Sequence, residues 1–410
     1  MLILIAGAAT GVGLATGRSL FWAVSGATLS LLVLALAWSW LSLNWLRVHR
    51  RTSMSVTQVG QMLEEELRLT NLSWLPRLWV EVRDHSTLPG HVAGRVIGLL
   101  WGWQWRGWRA RTFCRQRGRF RLGPLSLHVS DPLGIAPRQR MLPMVSYVLV
   151  YPPTYDLSGL ALPQHAPLEG NAMRQRAAII TPSVLSVRDY VPGDSLNRIH
   201  WLLTARRQKL TAREFEVDPI SEVWVLLDLQ AAVHVAASEA ESDVEGWAGP
   251  TSLPPSTEEY AVAAAASLAR HLLQQGRVVG LVASDKHYQV VPADRGQRQQ
   301  AHILERLAVL RADGEIPFAQ VLLEQRALLS SGSTVIALSP SQDVDWVNAV
   351  EQLTHSGVHV MAVAMDAASF GGVGDGRRVR ERLAKARATT CLLTCGQPIA
   401  DALRNTQLVR

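Results

Sequence analysis

His200 and Asp194 are the residues whose types and spacing come nearest to acid–base chemistry in this chain. A histidine changes charge near neutrality, which makes it the usual general base. The same stretch, Arg188 to Glu216, also holds Arg188, Arg198, Arg206, Glu214 and Glu216. Arginine and carboxylate form charge-assisted hydrogen bonds, and inside a fold that use is commoner than catalysis. His200 is therefore read as a helix residue without a catalytic task, and the charged set as pairs that dock the segment. The sequence contains no Gly-x-Ser-x-Gly, no phosphate-binding glycine loop and no metalloprotease histidine pair. No catalytic residue and no cofactor is expected. Cys114, Cys391 and Cys395 are an odd number without a histidine or cysteine cluster, so they read as free thiols rather than a zinc site.

Local chain chemistry must position these groups. Pro192-Gly193 makes a turn, because proline fixes φ and glycine supplies what other residues avoid. Asp194 follows as a helix cap, and Leu196, Ile199 and Leu203 fall on one helical face. Residues 210–215 read as a short strand and 223–229 as a buried one. Trp201 is expected to be buried at the junction of two soluble domains, with Arg188 or Arg206 paired to an acid, because its large apolar surface is costly in water.

The ordered set Arg188, Tyr190, Pro192, Gly193, Asp194, Arg198, Ile199, Trp201, Thr204, Ala205, Arg206, Glu214, Glu216 and Asp228 resembles the signature of the domain of unknown function 58 family. Residues 117–124 and 131–134 resemble the β-rich part of the same family. The family usually has an acid before the tryptophan, where this chain has His200. The resemblance implies a von Willebrand factor A-like domain, whose first strand ends in Asp-x-Ser-x-Ser and holds magnesium. Here Asp228 stands alone, with Gln230 and Ala232 at the hydroxyl positions. A hard cation needs several oxygen ligands, so the metal site is expected to be degenerate, with no metal. Ser339 and Asp366, at later strand ends, do not complete a set. The resemblance also implies an accessory role beside a MoxR-type AAA+ ATPase, in assembly or maturation of other proteins.

Composition frames the rest. The 410 residues allow two or three domains, and the net charge of +7 suits an anionic partner such as nucleic acid or a membrane surface. Arg18 is the only charge before Arg47. Residues 1–17 and 20–43 are apolar runs, and the longer one can span a bilayer. A transmembrane hairpin over residues 1–46 is expected. Gly7, Gly11, Gly13 and Gly17 would allow close helix approach, and Trp38, Trp40 and Trp45 suit an interfacial belt. Arg47, His49, Arg50 and Arg51 follow, which puts that end, and all the soluble chain, in the cytoplasm at the inner (plasma) membrane.

Residues 54–150 read as a β-rich, sandwich-like domain with strands at 78–82, 92–100, 113–122 and 125–129. Alternating Trp101, Trp103 and Trp105, and alternating Arg115, Arg117, Arg119 and Arg121, are each expected on one strand face. This arginine–tryptophan tract has a nucleic-acid reading, but no nucleic-acid fold signature accompanies it. Residues 151–220 form a connector bearing the signature. Residues 221–410 alternate strands and helices, as a doubly wound parallel α/β sheet does. Residues 239–255 read as a mobile surface loop.

The resulting expectation is a multi-domain, membrane-anchored, non-catalytic scaffold. A nucleic-acid-binding membrane protein and an unrecognised hydrolase are the alternatives. The client and the oligomeric state are not legible.

Overall fold

The computed structural model describes residues 2–160, 184–191, 199–215, 222–236, 253–329 and 332–406. The chain divides into two compact units. The first is built mainly from residues up to Pro153 and the second from Thr154 onward.

The first unit opens with α1 (Leu2–Thr16) and α2 (Ser19–Leu43). Among the described helices only α2 is long and apolar enough to cross a membrane. The α1 helix has 15 residues, short of the roughly 20 that a span needs. Gly17 turns the chain between them at φ 65°, and Thr10 Oγ1 lies 3.1 Å from Ser25 Oγ.

Ten strands follow: β1 (Leu46–Thr52), β2 (Val56–Gln58), β3 (Met62–Asn71), β4 (Arg77–Asp84), β5 (Arg95–Leu100), β6 (Trp105–Phe113), β7 (Gly118–Leu122), β8 (Leu125–Val129), β9 (Arg138–Leu142) and β10 (Ser146–Tyr151). They form sheets of order β1-β3-β6, β5-β4-β8-β9 and β2-β10-β7. Period-two alternation turns Leu46, Val48, Leu67 and Leu69 of one sheet toward Val80, Val82, Leu125 and Leu127 of another, in one apolar core.

Several sequence expectations change here. The basic run after α2, for which the sequence suggested no element, is strand β1, with Leu46 and Val48 buried. The expected strand at 113–122 is two strands with a turn between them. Trp101 and Trp103 lie in the connection before β6, so the three tryptophans do not share a strand face. Arg117 is buried while Arg119 and Arg121 are exposed on β7, so that arginine row is also broken.

In the second unit, β11 (Val184–Asp189) pairs antiparallel with β12 (Thr211–Phe215), and α3 (Trp201–Arg207) lies between them in sequence. A six-stranded sheet follows, built from β13 (Val223–Leu227), β14 (Val279–Ser284), β15 (Tyr288–Asp294), β16 (Thr334–Ser339), β17 (His359–Met365) and β18 (Thr389–Leu393). The helices are α4 (Thr257–Gln274), α5 (Gln297–Val309), α6 (Phe318–Glu324), α7 (Val344–His355), α8 (Gly376–Lys385) and α9 (Ile399–Arg404). The strand order is β15-β14-β13-β16-β17-β18. All neighbours are parallel except the β14–β15 edge pair, so the expected all-parallel sheet gains an antiparallel edge. Trp346, Phe318, Leu226 and Val335 centre one core on this sheet. The expected mobile loop at 239–255 falls almost wholly outside the described residues.

Candidate functional site

The chain enters the sheet at β13, runs outward to β14 and β15, and then returns to the other side of β13 as β16. Strand order reverses at that point, and in open α/β sheets the crevice beyond such strand ends is where ligands bind. Asp228 follows β13 there and Ser339 ends β16. Both are buried.

Their hydrogen bonds account for both carboxylate oxygens of Asp228. Ser339 Oγ donates to Oδ2 at 2.5 Å, and the Gln230 backbone N–H donates to Oδ1 at 3.0 Å. The Ser341 N–H donates to Ser339 Oγ at 2.9 Å. Burial pushes the Asp228 carboxyl up to about 6, against the lowering effect of these two donors. Taking charge out of water disfavours the ionised form, and two neutral donors do not offset that.

Of the two positions where oxygen ligands were sought, Gln230 precedes a short 3-10 turn over Ala231–Val233 and Ala232 lies within it. Ala232 is exposed and offers no oxygen beyond its backbone. Gly314 closes over the strand end. Its N–H donates to Leu229 C=O, and its own C=O accepts from Ala231 N–H. A Cβ at Gly314 would collide with the Ser284 carbonyl, so glycine is required by this close approach. His234, which the sequence reading passed over, bonds the Asp228 backbone oxygen through Nε2 at 2.9 Å and Thr257 Oγ1 through Nδ1 at 3.1 Å. It does not complete a Ser–His–Asp relay, because Ser339 donates directly to Asp228. Asp366 is used elsewhere: its Oδ1 accepts from Gly376 N–H at the start of α8, at 3.1 Å.

The signature divides between described and undescribed residues. Pro192, Gly193, Asp194, Arg198 and Glu216 lie outside the described residues, as do the side chains of Arg188 and Glu214. The expected helix cap at Asp194 is therefore outside them too. The described helix starts at Trp201, with His200 as its N-cap, and Nδ1 of that ring accepts from Leu203 N–H at 3.4 Å. An imidazole lone pair thus fills the capping role at the position where the family usually carries an acid. Trp201 is not core: it is 64% exposed, and no residue of α3 is buried. The two-turn helix is too short to lay a stripe of side chains on a core. Arg206 is exposed and forms no ion pair among the described residues. Tyr190 is half-buried, its N–H donating to Leu210 C=O.

A second cluster lies within the first unit and was not anticipated. Arg50, Glu65, Asp84 and His91 are all buried at the side chain. Arg50 lies 2.6 Å from Glu65 and 3.4 Å from Asp84; His91 Nε2 lies 3.2 Å and 2.9 Å from the same two carboxylates. Thr112 Oγ1 sits 2.7 Å from His91 Nδ1, and Ser86 Oγ donates to Asp84. Burial lowers the His91 pKa, but the bonds to Asp84 and Glu65 outweigh it and raise it to about 9. The same bonds hold Glu65 and Asp84 low against the opposing effect of burial. Glu65, Asp84 and His91 have the spacing of a metal-ligand set. The site is instead filled by Arg50, and a protonated imidazole offers no lone pair, so the group is a charge-neutral quartet. One sequence signal marks it. Glu65 stands between Leu63 and Leu67 at an inward, period-two position, where an acid needs a buried partner.

Comparison with known proteins bears on the signature. Residues 186–367 match the family model described as "Protein of unknown function DUF58". The match supports the family resemblance and spans the signature, Asp228 and Ser339. An uncharacterized protein, YeaD of Bacillus subtilis (strain 168), is 23% identical over 212 residues, covering 51% of this chain and 47% of that protein. The chain thus spans about half the length of this relative. Among solved structures, proximal thread matrix protein 1 from the mussel byssus is similar at a TM-score of 0.32 and 12% identity, covering 46% of this chain and 47% of that chain. The pilus adhesin SpaC of Lactobacillus rhamnosus GG is similar at 0.32 and 11%, covering 45% and 29%. The CARDB domain of the PF1109 protein of Pyrococcus furiosus is similar at 0.19 and 17%, covering 26% and 86%. Such TM-scores say nothing of function.

Proposed function

We propose that this chain is a membrane-anchored, non-catalytic accessory protein whose DUF58 signature is a docking surface for a protein partner. The observation that carries this reading is the exposed apolar surface of the signature. Trp201 is 64% and Leu202 67% exposed, and Val191 and Leu210 beside them are exposed as well. Contiguous exposed apolar residues centred on a tryptophan are what protein interfaces use as anchors. The family resemblance supports a MoxR-type AAA+ ATPase as the partner, in assembly or maturation of other proteins. It also supports reading the α/β unit as von Willebrand factor A-like with a degenerate metal site. Asp228, with both oxygens taken by protein donors, agrees with that. The apolar α1 and α2 would enter the bilayer together as a hairpin, and the arginines of β1 would hold the soluble units on the cytoplasmic side.

Co-purification of the tagged full chain from native membranes tests the reading. The wild type should retain an AAA+ subunit and Trp201→Ser should lose it, with equal amounts of anchored protein. Equal recovery of that subunit, or its absence from the wild type, would reject the assignment.

A further inference from the structure

Strand direction brings four chain connections to one end of the first unit: α2–β1, β3–β4, β5–β6 and β8–β9. The α2 helix ends at Leu43 and β1 starts at Leu46, opposite Asn71 at the end of β3. The β6 strand starts opposite Thr70, and β4 starts opposite Leu100 at the end of β5. Backbone bonds stitch the connections together: Leu72 N–H to Trp45 C=O at 2.8 Å, and Trp103 N–H to Ser73 C=O at 3.1 Å. The Asn71 side chain donates to the carbonyls of Leu75 and Trp101. The β8–β9 turn reaches the same end, where Ser39 Oγ of α2 donates to Ala136 C=O at 2.5 Å.

This end exposes Trp45, Trp74, Trp79, Trp101, Trp103 and Trp105, with Trp74 76% and Trp103 71% exposed. Trp45, Trp79 and Trp103 hold left-handed backbone at φ 58°, 52° and 60°, a region that side chains with a Cβ avoid. Folding has thus kept strained tryptophans facing outward, where water would leave their apolar rings unrewarded. Arg47, Arg68, Arg106 and Arg138 are exposed among them, and the Arg68 guanidinium lies 4.1 Å over the Trp105 ring. Across residues 45–48, 68–78, 99–107 and 130–140 the one acid is Asp131, buried and bonded to Leu133 and Ala136 N–H.

We infer that this end of the sandwich is a lipid-interface surface, its tryptophans seated at the headgroup level and its arginines on anionic phospholipid. Tryptophan, with an apolar body and one N–H, prefers that depth, and arginine pairs with phosphate there. The bilayer is the occupant because α2 leads into it: a membrane that α2 crosses meets the surface to which Ser39 is bonded. The inference rests on the reading of α2 as an anchor and adds that the folded unit itself is part of the membrane contact.

The full chain in nanodiscs containing phosphatidylglycerol tests it. The emission lost in a Trp74→Phe/Trp103→Phe double variant, taken as a difference from wild type, reports those two rings. Lipids brominated near the headgroup should abolish most of that difference emission, and brominated discs of phosphatidylcholine alone should quench it less. Difference emission untouched by brominated lipid but quenched by aqueous acrylamide would overturn the surface. Equal quenching in discs without phosphatidylglycerol would overturn the anionic pairing. Trp22→Phe, read the same way, separates the two ideas. Quenching of Trp22 alone rejects the surface and leaves the anchor; no quenching of Trp22 rejects the anchor.

Discussion

The buried carboxylates carry opposite energetic signs. Asp228 is held neutral-leaning, with its pKa raised from 3.8 to about 6 by burial. The folded state then binds more protons than the unfolded one between those values, so stability falls as pH rises through them. The loss is on the order of 3 kcal/mol, at about 1.4 kcal/mol per unit. Asp228→Asn keeps the shape and removes the buried charge. It should stabilise the chain by roughly 1–3 kcal/mol at pH 7 and by almost nothing at pH 4, read from paired thermal melts. A destabilised variant at pH 7 would mean that the ionised form does something the hydrogen bonds do not reveal. In the quartet it is the charged forms that stabilise, and its pH trend has the same direction at higher pH. His91 is raised from 6.5 to about 9, so its contribution is complete below 6.5 and is lost as pH rises through 9. His91→Leu leaves Glu65 and Asp84 with Arg50 alone and should cost roughly 3–5 kcal/mol, measured by denaturant melts at pH 6. The penalty should shrink toward pH 10. A pH-independent penalty would reduce His91 to a packing residue.

At the scale of elements, β13, β14, β16, β17 and β18 were legible because parallel strands buried on both faces are continuous apolar runs. The amphipathic helices between them were legible for the complementary reason. The β15 strand, Tyr288–Asp294, was not. It is a half-exposed antiparallel edge carrying Gln289 and Pro292, and its alternation is weak. In the first unit, β1 and β3 were hidden by charge, since arginines and glutamates mask a period-two core of Leu46, Val48, Leu63, Leu67 and Leu69. Asp228 and Ser339 were visible as strand ends, but the bond between them depends on strand order, which one sequence does not display. The start of α3 was not legible, because His200 is not a usual capping residue; the cap expected at Asp194 lies outside the described residues. Trp201 was misjudged because its size was taken to require burial, whereas no residue of this short helix is buried. A helix of two turns has too little face to bury its tryptophan. Trp201→Ala should therefore change stability by no more than about 0.5 kcal/mol, as surface substitutions do. A loss of several kcal/mol in denaturant melts would restore Trp201 to a core.

For the whole molecule, the proposed function assigns separate tasks to the apolar helix, the β-rich unit and the α/β unit. In the proposed reading apolar α2 anchors the chain, the sandwich joins it directly, and the signature on the second unit offers the exposed surface. The proposed cytoplasmic sidedness rests on the arginines after α2. Protease added to intact spheroplasts should leave everything after Arg47 uncut until lysis, and cleavage without lysis would reverse the topology. The most direct test of the docking claim places a photo-cross-linking amino acid at Leu202 in the full chain, in living cells. A second variant carries it at Val373, which is 94% exposed on the same unit but outside the signature. Leu202 should give a cross-link to an AAA+ ATPase subunit and Val373 should give none. Equal cross-linking from both positions, or none from Leu202, would contradict the signature as a partner surface.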